Sequence, residues 1–160
     1  MPTPSEGTYF WTPRGDATVV RNEGGEVTLA ITLADYGPGT KTWDVDHYNS
    51  LKFFSLQCIV GFWRRAVYWA GMTRDPPSAE LVAAVRGHAH AEELNALNPL
   101  KRQDDEGDGQ ARWGAFGAEA ERLITDASLE RRGRRRTLRF TVADPSWVTH
   151  LGPVEDWDLL

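Results

Sequence analysis

The sequence is poor in cysteine and has no long apolar run. Cys58 is the only cysteine among 160 residues, which excludes an intramolecular disulfide and every multi-cysteine zinc or iron–sulfur site. The most apolar stretch, residues 53–62, is about half as long as a membrane-spanning helix and is followed by Arg64 and Arg65. The N-terminus also lacks the positive and apolar segments of a secretory signal. We therefore expect no membrane association and a cytoplasmic location, where a lone thiol stays reduced.

A strong charge of either sign and the common catalytic motifs are missing as well. The formal net charge is only −5, so general attraction to nucleic acid or to an anionic membrane is not expected. The chain contains no Gly-x-Ser-x-Gly, no Walker A loop, no Gly-x-Gly-x-x-Gly before a helix and no His-Glu-x-x-His. These absences favour a binding protein over an enzyme, and we expect no cofactor.

What is present is the composition of one ordinary globular domain. Hydrophobic residues make up 41% of the chain and charged residues 26%, so a core can form without a disulfide or a metal. We predict one α+β domain over residues 1–160. The 15 arginines against 3 lysines, together with 17 alanines, suggest a bacterial source with GC-rich DNA.

The strand predictions rest on the alternation of apolar and polar residues. Residues 17–21 and 27–33 flank Asn-Glu-Gly-Gly and form a predicted hairpin, because the two glycines can take positive φ in its turn. Residues 136–143 alternate in the same way, and residues 8–11 are a short additional candidate. We expect an antiparallel sheet of three or four strands.

Helices are predicted in three places. Residues 44–71 form a long central helix, because apolar side chains occupy most of its circumference. Two further helices are predicted, one from about residue 75 to residue 98 and one over residues 110–130. The charged segment 101–109 is expected to be a mobile loop. A calcium loop that starts at Asp104 would need a glutamate at its twelfth position, which is Ala115.

A polar seam runs between two apolar stripes of the central helix. Ser50, Gln57 and Arg64 recur every seven residues and therefore share one side of the helix. Because the stripes on both sides require burial, we expect these side chains to have buried hydrogen-bond partners or to line a ligand-binding cleft. The seam is therefore the candidate small-molecule pocket.

Acidic and imidazole groups stand at the start of the central helix. Asp44, Asp46 and His47 lie where aspartate caps unpaired N–H groups and complements the helix dipole, which is the simpler interpretation. In the alternative interpretation Asp44 and His47 are catalytic, with His47 as acid or base.

A second histidine group, His88, His90 and Glu92, lies in the second helix. On a continuous helix His88 and His90 point about 200° apart, so they cannot chelate one ion unless Gly87 breaks the helix. His88 and Glu92 share a face and are expected to form an ordinary surface pair. Their alternative role is catalytic, with His88 as acid or base. We expect no metal site from these residues and those at the start of the central helix.

Five arginines in six residues are the sharpest local charge anomaly. They are Arg131, Arg132, Arg134, Arg135 and Arg136. They fit the C-terminal end of the third helix, with Gly133 as the residue after the helix and a turn into the last strand. As a functional surface they would bind carboxylate or phosphate groups, because guanidinium binds both in a bidentate manner.

The C-terminal segment 144–160 supplies the second partner-binding candidate. Trp157 stands among Glu155, Asp156 and Asp158, and such a segment folds back on its own domain or docks on a partner, because large exposed apolar groups are costly. We expect a non-enzymatic interaction protein whose partner is another protein. The alternatives are a small enzyme or small-molecule binder at the polar seam and, third, a nucleic-acid binder through the arginines.

Overall fold

The fold is α+β, as the sequence predicts. The computed structural model describes residues 9–12, 15–33, 50–72, 83, 85–97 and 108–150. Within these residues, helices pack on one face of an antiparallel sheet. None of the described helices has the length and apolar character needed to cross a membrane.

The sheet has five strands in the order β1-β2-β3-β5-β4, with every neighbouring pair antiparallel. Their bounds are β1 Tyr9–Thr12, β2 Gly15–Glu23, β3 Glu26–Leu33, β4 Ile124–Arg132 and β5 Arg135–Val142. Four of these strands agree with predicted segments to within a few residues. The exception is β4, which the sequence pattern does not predict, so the sheet has five strands rather than three or four.

The β2–β3 hairpin turns at Gly24 and Gly25. Their φ angles are 63° and 79°, and a two-residue turn with positive φ at both positions matches the twist of the flanking strands. The glycines therefore close the hairpin where the sequence predicts it.

One face of the sheet carries the hydrophobic core. In cross-strand register Leu29 lies opposite Phe140 and Ile31 lies opposite Leu138, and none of these four side chains is more than 1% exposed. This core face packs against helices α1, Leu51–Met72, and α3, Asp108–Leu123. The opposite face, here called the polar face, carries threonines and charged residues.

Helix α1 begins at Leu51 because Ser50 caps it. The Phe53 N–H donates to Ser50 Oγ at 3.3 Å, which satisfies one of the unpaired donors of the first turn. The predicted start at residue 44 is therefore wrong, and residues 34–49 lie outside the described part of the chain. Every side chain over 54–60 is buried, which confirms that apolar contacts surround this part of the helix and that Cys58 belongs to the core.

The predicted second helix is interrupted by a turn at residues 87–90. Helical residues precede this turn, and helix α2, Ala91–Ala96, follows it. Glycine has low helix propensity, and the His90 N–H donates to His88 Nδ1 at 3.0 Å instead of to a backbone carbonyl. A continuous helix from residue 75 to residue 98 is therefore wrong.

The predicted third helix ends at Leu123, and residues 124–130 belong to β4. Ala127 fits both periodicities, because it lies four residues after Leu123 and two before Leu129. Strand pairing decides between them, since Ala127 lies opposite Phe140 in the neighbouring strand. The helical periodicity of the sequence is correct only as far as Leu123.

After β5 the chain folds back onto the core. A 3₁₀ helix spans Pro145–Val148, and Asp144 caps it by accepting from the Ser146 N–H at 3.0 Å. Trp147 is 5% exposed and Val148 is fully buried in the core. This part of the C-terminal segment therefore folds back on its own chain, whereas residues 151–160 lie outside the described residues.

Candidate functional site

The β4–β5 hairpin divides the arginine cluster between the two faces of the sheet. Arg131 lies opposite Arg136, and Arg132 lies opposite Arg135. Because side chains alternate along a strand, the first pair extends the core face and the second pair lies on the polar face. The arginines therefore form two cross-strand pairs rather than one patch.

The turn of this hairpin is Gly133-Arg134. Gly133 has a φ of 60°, and glycine at the first position of a two-residue loop is the arrangement of a type II′ turn. The prediction that the arginines end a helix, with Gly133 as the residue after it, is wrong. Gly133 does adopt the positive φ that was expected of it, but it does so in the turn of a hairpin and not at the end of a helix.

The polar-face pair lines a shallow pocket of about 220 Å³. Its lining residues are Glu130, Arg132, Arg135 and Thr137. Arg132 Nε donates to Glu130 Oε1 at 2.6 Å, while the Arg132 side chain remains 83% exposed. Two guanidinium groups and one carboxylate leave a single excess positive charge around the pocket. An anion can therefore bind there in contact with arginine and the Thr137 hydroxyl.

The end of the hairpin concentrates positive charge in two cross-strand pairs. Like charges directly opposite each other in antiparallel strands destabilise the pair, and here two successive pairs carry like charges. A bound anion would reduce this repulsion. The hairpin end is thus a surface whose charge favours an anionic partner.

The three residues of the predicted polar seam have different surroundings among the described residues. Ser50 caps α1, and Gln57 is 6% exposed, with no hydrogen-bond partner for its Oε1 among the described residues. Arg64 is exposed. Ser50 caps the helix and the Arg64 guanidinium reaches solvent, so among the described residues these side chains do not form one buried polar row, and their role as a ligand-binding cleft remains a prediction.

A cluster of histidines lies where the turn at 87–90 meets the C-terminal segment. The ring centroids of His88 and His150 are 4.9 Å apart with their planes at 76°, in an edge-to-face arrangement. His90 stacks on Trp147, and its Nε2 lies 2.7 Å from Ser146 Oγ. His88 is 7% exposed and His150 is fully buried.

The expected His88–Glu92 surface pair is not present. His88 lies in the turn and is buried, whereas Glu92 lies in α2 and is exposed, so they do not share a helix face. The carboxylate near the cluster is that of Glu93, whose Oε1 is 3.9 Å from His90 Nδ1. Gly87 does mark the break that could bring two histidines together, but the close partner of His88 is His150.

Burial lowers the pKa of both inner histidines. The pKa of His88 lies below its usual value of 6.5 because of desolvation and, second, because of the nearby His90. The pKa of His150 lies well below 6.5, again through desolvation first and then through the charge that His88 would carry. Both rings are therefore neutral at pH 7.

Several predicted site residues lie outside the described part of the chain. They are Asp44, Asp46, His47 and Trp157. Within the described ranges, no group of three or more histidine, cysteine, aspartate or glutamate side chains is arranged to hold a metal ion. The catalytic and partner-binding roles considered for the four residues remain predictions.

Comparison with known proteins gives no relative. No protein-family model matches the chain, and no curated protein or solved structure matches it. The case for a function therefore rests on the geometry of the described residues.

Sequence reasoning missed His150 because no local pattern connects it to His88. The two residues are far apart in the chain, and the segment after β5 has no clear periodicity. The available signal was the unusual Gly-His-Ala-His sequence, since glycine allows a turn there. That signal indicates a break in the helix but does not identify the third histidine.

Proposed function

We propose that this protein is a non-enzymatic binding protein that recognises an acidic segment of another protein through the end of the β4–β5 hairpin. The observation that carries this proposal is the pair of successive Arg–Arg cross-strand positions, Arg131 with Arg136 and Arg132 with Arg135. A partner carboxylate is the group that this arrangement fits, because arginine binds carboxylates in a planar, bidentate manner.

The pocket on the polar face gives the proposed contact its location. A carboxylate entering between Arg132 and Arg135 would offset their repulsion, while Thr137 supplies a hydroxyl donor. Arg132 keeps 83% of its side chain exposed although it pairs with Glu130, so it can bind a second carboxylate. Arg132 and Arg135 are both exposed, so a partner can reach them without any rearrangement of the core.

The surroundings favour an acidic protein segment over nucleic acid. Glu130 lines the pocket, and Asp126 is exposed on the same side of β4, so one partner carboxylate placed between the arginines meets less repulsion than a continuous polyphosphate along the strand. The described side chains of the polar face near the pocket are threonine, serine and charged residues, without the aromatic groups on which bases stack. A cytoplasmic site of action is part of the proposal and agrees with a single cysteine, Cys58, that is buried and not part of a disulfide.

Binding of a fluorescent oligoglutamate peptide tests the proposal. The full chain should bind it, and R132S/R135S should weaken the affinity by at least about tenfold, which corresponds to about 1.4 kcal/mol. The matched control is Arg86→Ser, which removes another exposed arginine away from the hairpin and should leave the affinity unchanged. Binding should also weaken between about 50 and 300 mM salt, because exposed charges are screened.

An oligonucleotide of equal charge separates the partner classes. We expect it to bind less tightly than the peptide at the same salt concentration. If the oligonucleotide binds more tightly and the double variant abolishes that binding, the nucleic-acid alternative replaces this proposal. If the double variant and the control bind the peptide equally well, the hairpin end is not the binding surface.

A further inference from the structure

Two buried histidines, His88 and His150, join the turn at 87–90 to segment 144–150. His88 and His150 contact each other edge to face, and the neighbouring His90 stacks on Trp147 of the 3₁₀ helix. These ring contacts connect the chain before α2 with the chain after β5. The junction is therefore built largely from imidazole and indole rings.

The hydrogen bonds of His88 fix which of its nitrogens carries a proton. Nδ1 accepts from the His90 N–H at 3.0 Å, so a neutral ring carries its proton on Nε2. A second proton can be added only at Nδ1, where it would face the His90 N–H and remove that hydrogen bond. Protonation of His88 is thus incompatible with the bond that closes the turn.

The surroundings of His150 also oppose a second proton, because desolvation of the ring outweighs the backbone of Ile59, which acts to raise its pKa. The side chain is fully buried, and neither ring nitrogen has a hydrogen-bond partner among the described residues. Nε2 of His88 is also buried without such a partner. A charge on either ring would therefore be desolvated and would face the other ring at close range.

We infer that the His88–His150 contact is an acid-sensitive latch, which holds segment 144–150 against the turn at 87–90 near neutral pH and releases it when these rings take up protons. The geometry gives the reason: one proton breaks the His90–His88 hydrogen bond, and a second proton puts two positive charges on contacting rings. Release frees the 3₁₀ helix and uncovers Trp147. This inference is independent of the function proposed for the hairpin.

The charged groups around the latch do not cancel this response. Beyond the effect of burial, the nearby His90 lowers the pKa of His88 further, and among the charged groups of the described residues only the carboxylate of Glu93, 3.9 Å from His90 Nδ1, acts to raise it. On the side of the 3₁₀ helix, Asp144 lies close enough to interact with His90 and with Arg122 of α3. Burial still dominates, so the pKa values of His88 and His150 are both lowered.

Chemical denaturation of the full chain as a function of pH tests the latch. Between about pH 6.5 and pH 5, each buried neutral histidine should raise the unfolding or opening equilibrium constant by about tenfold per pH unit, so two should give about 100-fold. His88→Asn keeps an acceptor near the position of Nδ1 but cannot be protonated, and it should reduce the response to about tenfold per pH unit. His90→Gln is the matched control, because its amide can still reach Ser146 and the acid response should persist.

Histidine ring signals measured by nuclear magnetic resonance provide a second readout that needs no variant. The sequence has four histidines, and two of their rings should stay neutral until the amide signals of residues 144–150 shift. If the H88N variant responds to acid like the wild type, or if all four rings titrate while those amides stay unchanged, the latch is wrong. Stoichiometric Zn²⁺ binding that stabilises the wild type but not H88N would also overturn it, because the rings would then be metal ligands.

Discussion

The imidazole of His90 lies flat on the indole of Trp147. The ring centroids are 4.2 Å apart and the planes differ by only 3°, while His90 Nε2 lies 2.7 Å from Ser146 Oγ. A stacked pair of this kind buries flat apolar surface and keeps the polar edge of the imidazole paired. The stack attaches the 3₁₀ helix to the turn before α2.

Removal of the Trp147 side chain should therefore be costly. Trp147→Ala deletes a side chain that is only 5% exposed, and the expected loss is about 3 to 5 kcal/mol of unfolding free energy, from lost burial and the cavity left behind. Trp147→Phe keeps a stacking ring and should cost clearly less. Urea denaturation at pH 7.5 measures both variants, and equal losses would show that the indole is not packed as described.

Asp144 should stabilise the 3₁₀ helix as its cap. It accepts from the Ser146 N–H at 3.0 Å and from the Ser146 hydroxyl at 2.8 Å. Asp144→Ala should therefore cost about 1 kcal/mol of unfolding free energy. Asp144→Asn should cost much less, because asparagine caps nearly as well.

The same pair of variants tests the charge of Asp144. The hydrogen bonds from Ser146 hold the pKa of this carboxyl below 3.8, so its stabilising contribution is complete above that pH and is lost as the pH falls through the folded-state value. The difference in stability between wild type and Asp144→Asn should therefore shrink in strong acid. A difference that stays constant from neutral pH down to pH 2 would contradict this assignment.

Two glycines should respond oppositely to alanine. Gly133 has a φ of 60° in the hairpin turn, so Gly133→Ala should destabilise the protein by about 1 kcal/mol. Gly114 lies inside α3, and an added Cβ would meet no atom within 4 Å. Gly114→Ala should stabilise the protein by about 0.5 to 1 kcal/mol, because glycine is a poor helix former. Thermal unfolding of the two variants measures this contrast, and shifts of the same sign would contradict the turn or the helix.

Charge reversal at Arg135 should separate stability from binding. Arg135→Glu places a carboxylate opposite Arg132 and should raise the unfolding free energy by about 0.5 kcal/mol, because a like-charged pair becomes an opposite pair. The same change should abolish binding of the oligoglutamate peptide. Denaturation and peptide titration of one sample check both effects. A variant that is less stable than the wild type would show that the Arg132–Arg135 repulsion is not significant.

Local sequence patterns correctly predicted much of the sheet and part of the helices. The alternation around Leu29 and Ile31 predicts β3 and its buried row, and Gly24-Gly25 predicts the turn before it. The apolar periodicity of residues 116–123 predicts the buried side of α3. These features depend on neighbours in the chain, so the sequence contains the whole signal.

The candidate sites were predicted less completely. The sequence shows the arginine cluster as a run of positive charge. Its division between the two faces of the sheet could be known only from the β4–β5 register. The sequence identified His88 as a candidate beside Gly87, but it did not identify His150 as the residue that His88 contacts. Each of these relationships depends on residues that meet only after folding.

The sequence by itself therefore determined the α+β class, the β2–β3 hairpin, β5 and the buried character of the central helix. The tertiary structure alone decided that residues 124–130 pair as a strand, that α1 begins after Ser50, and that His88 meets His150. The physical reason is that Ala127 satisfies both helical and strand periodicity, so its neighbours in the chain do not settle its conformation. Hydrogen bonding to β5 and burial against Phe140 settle it, and those partners become available only when the sheet forms.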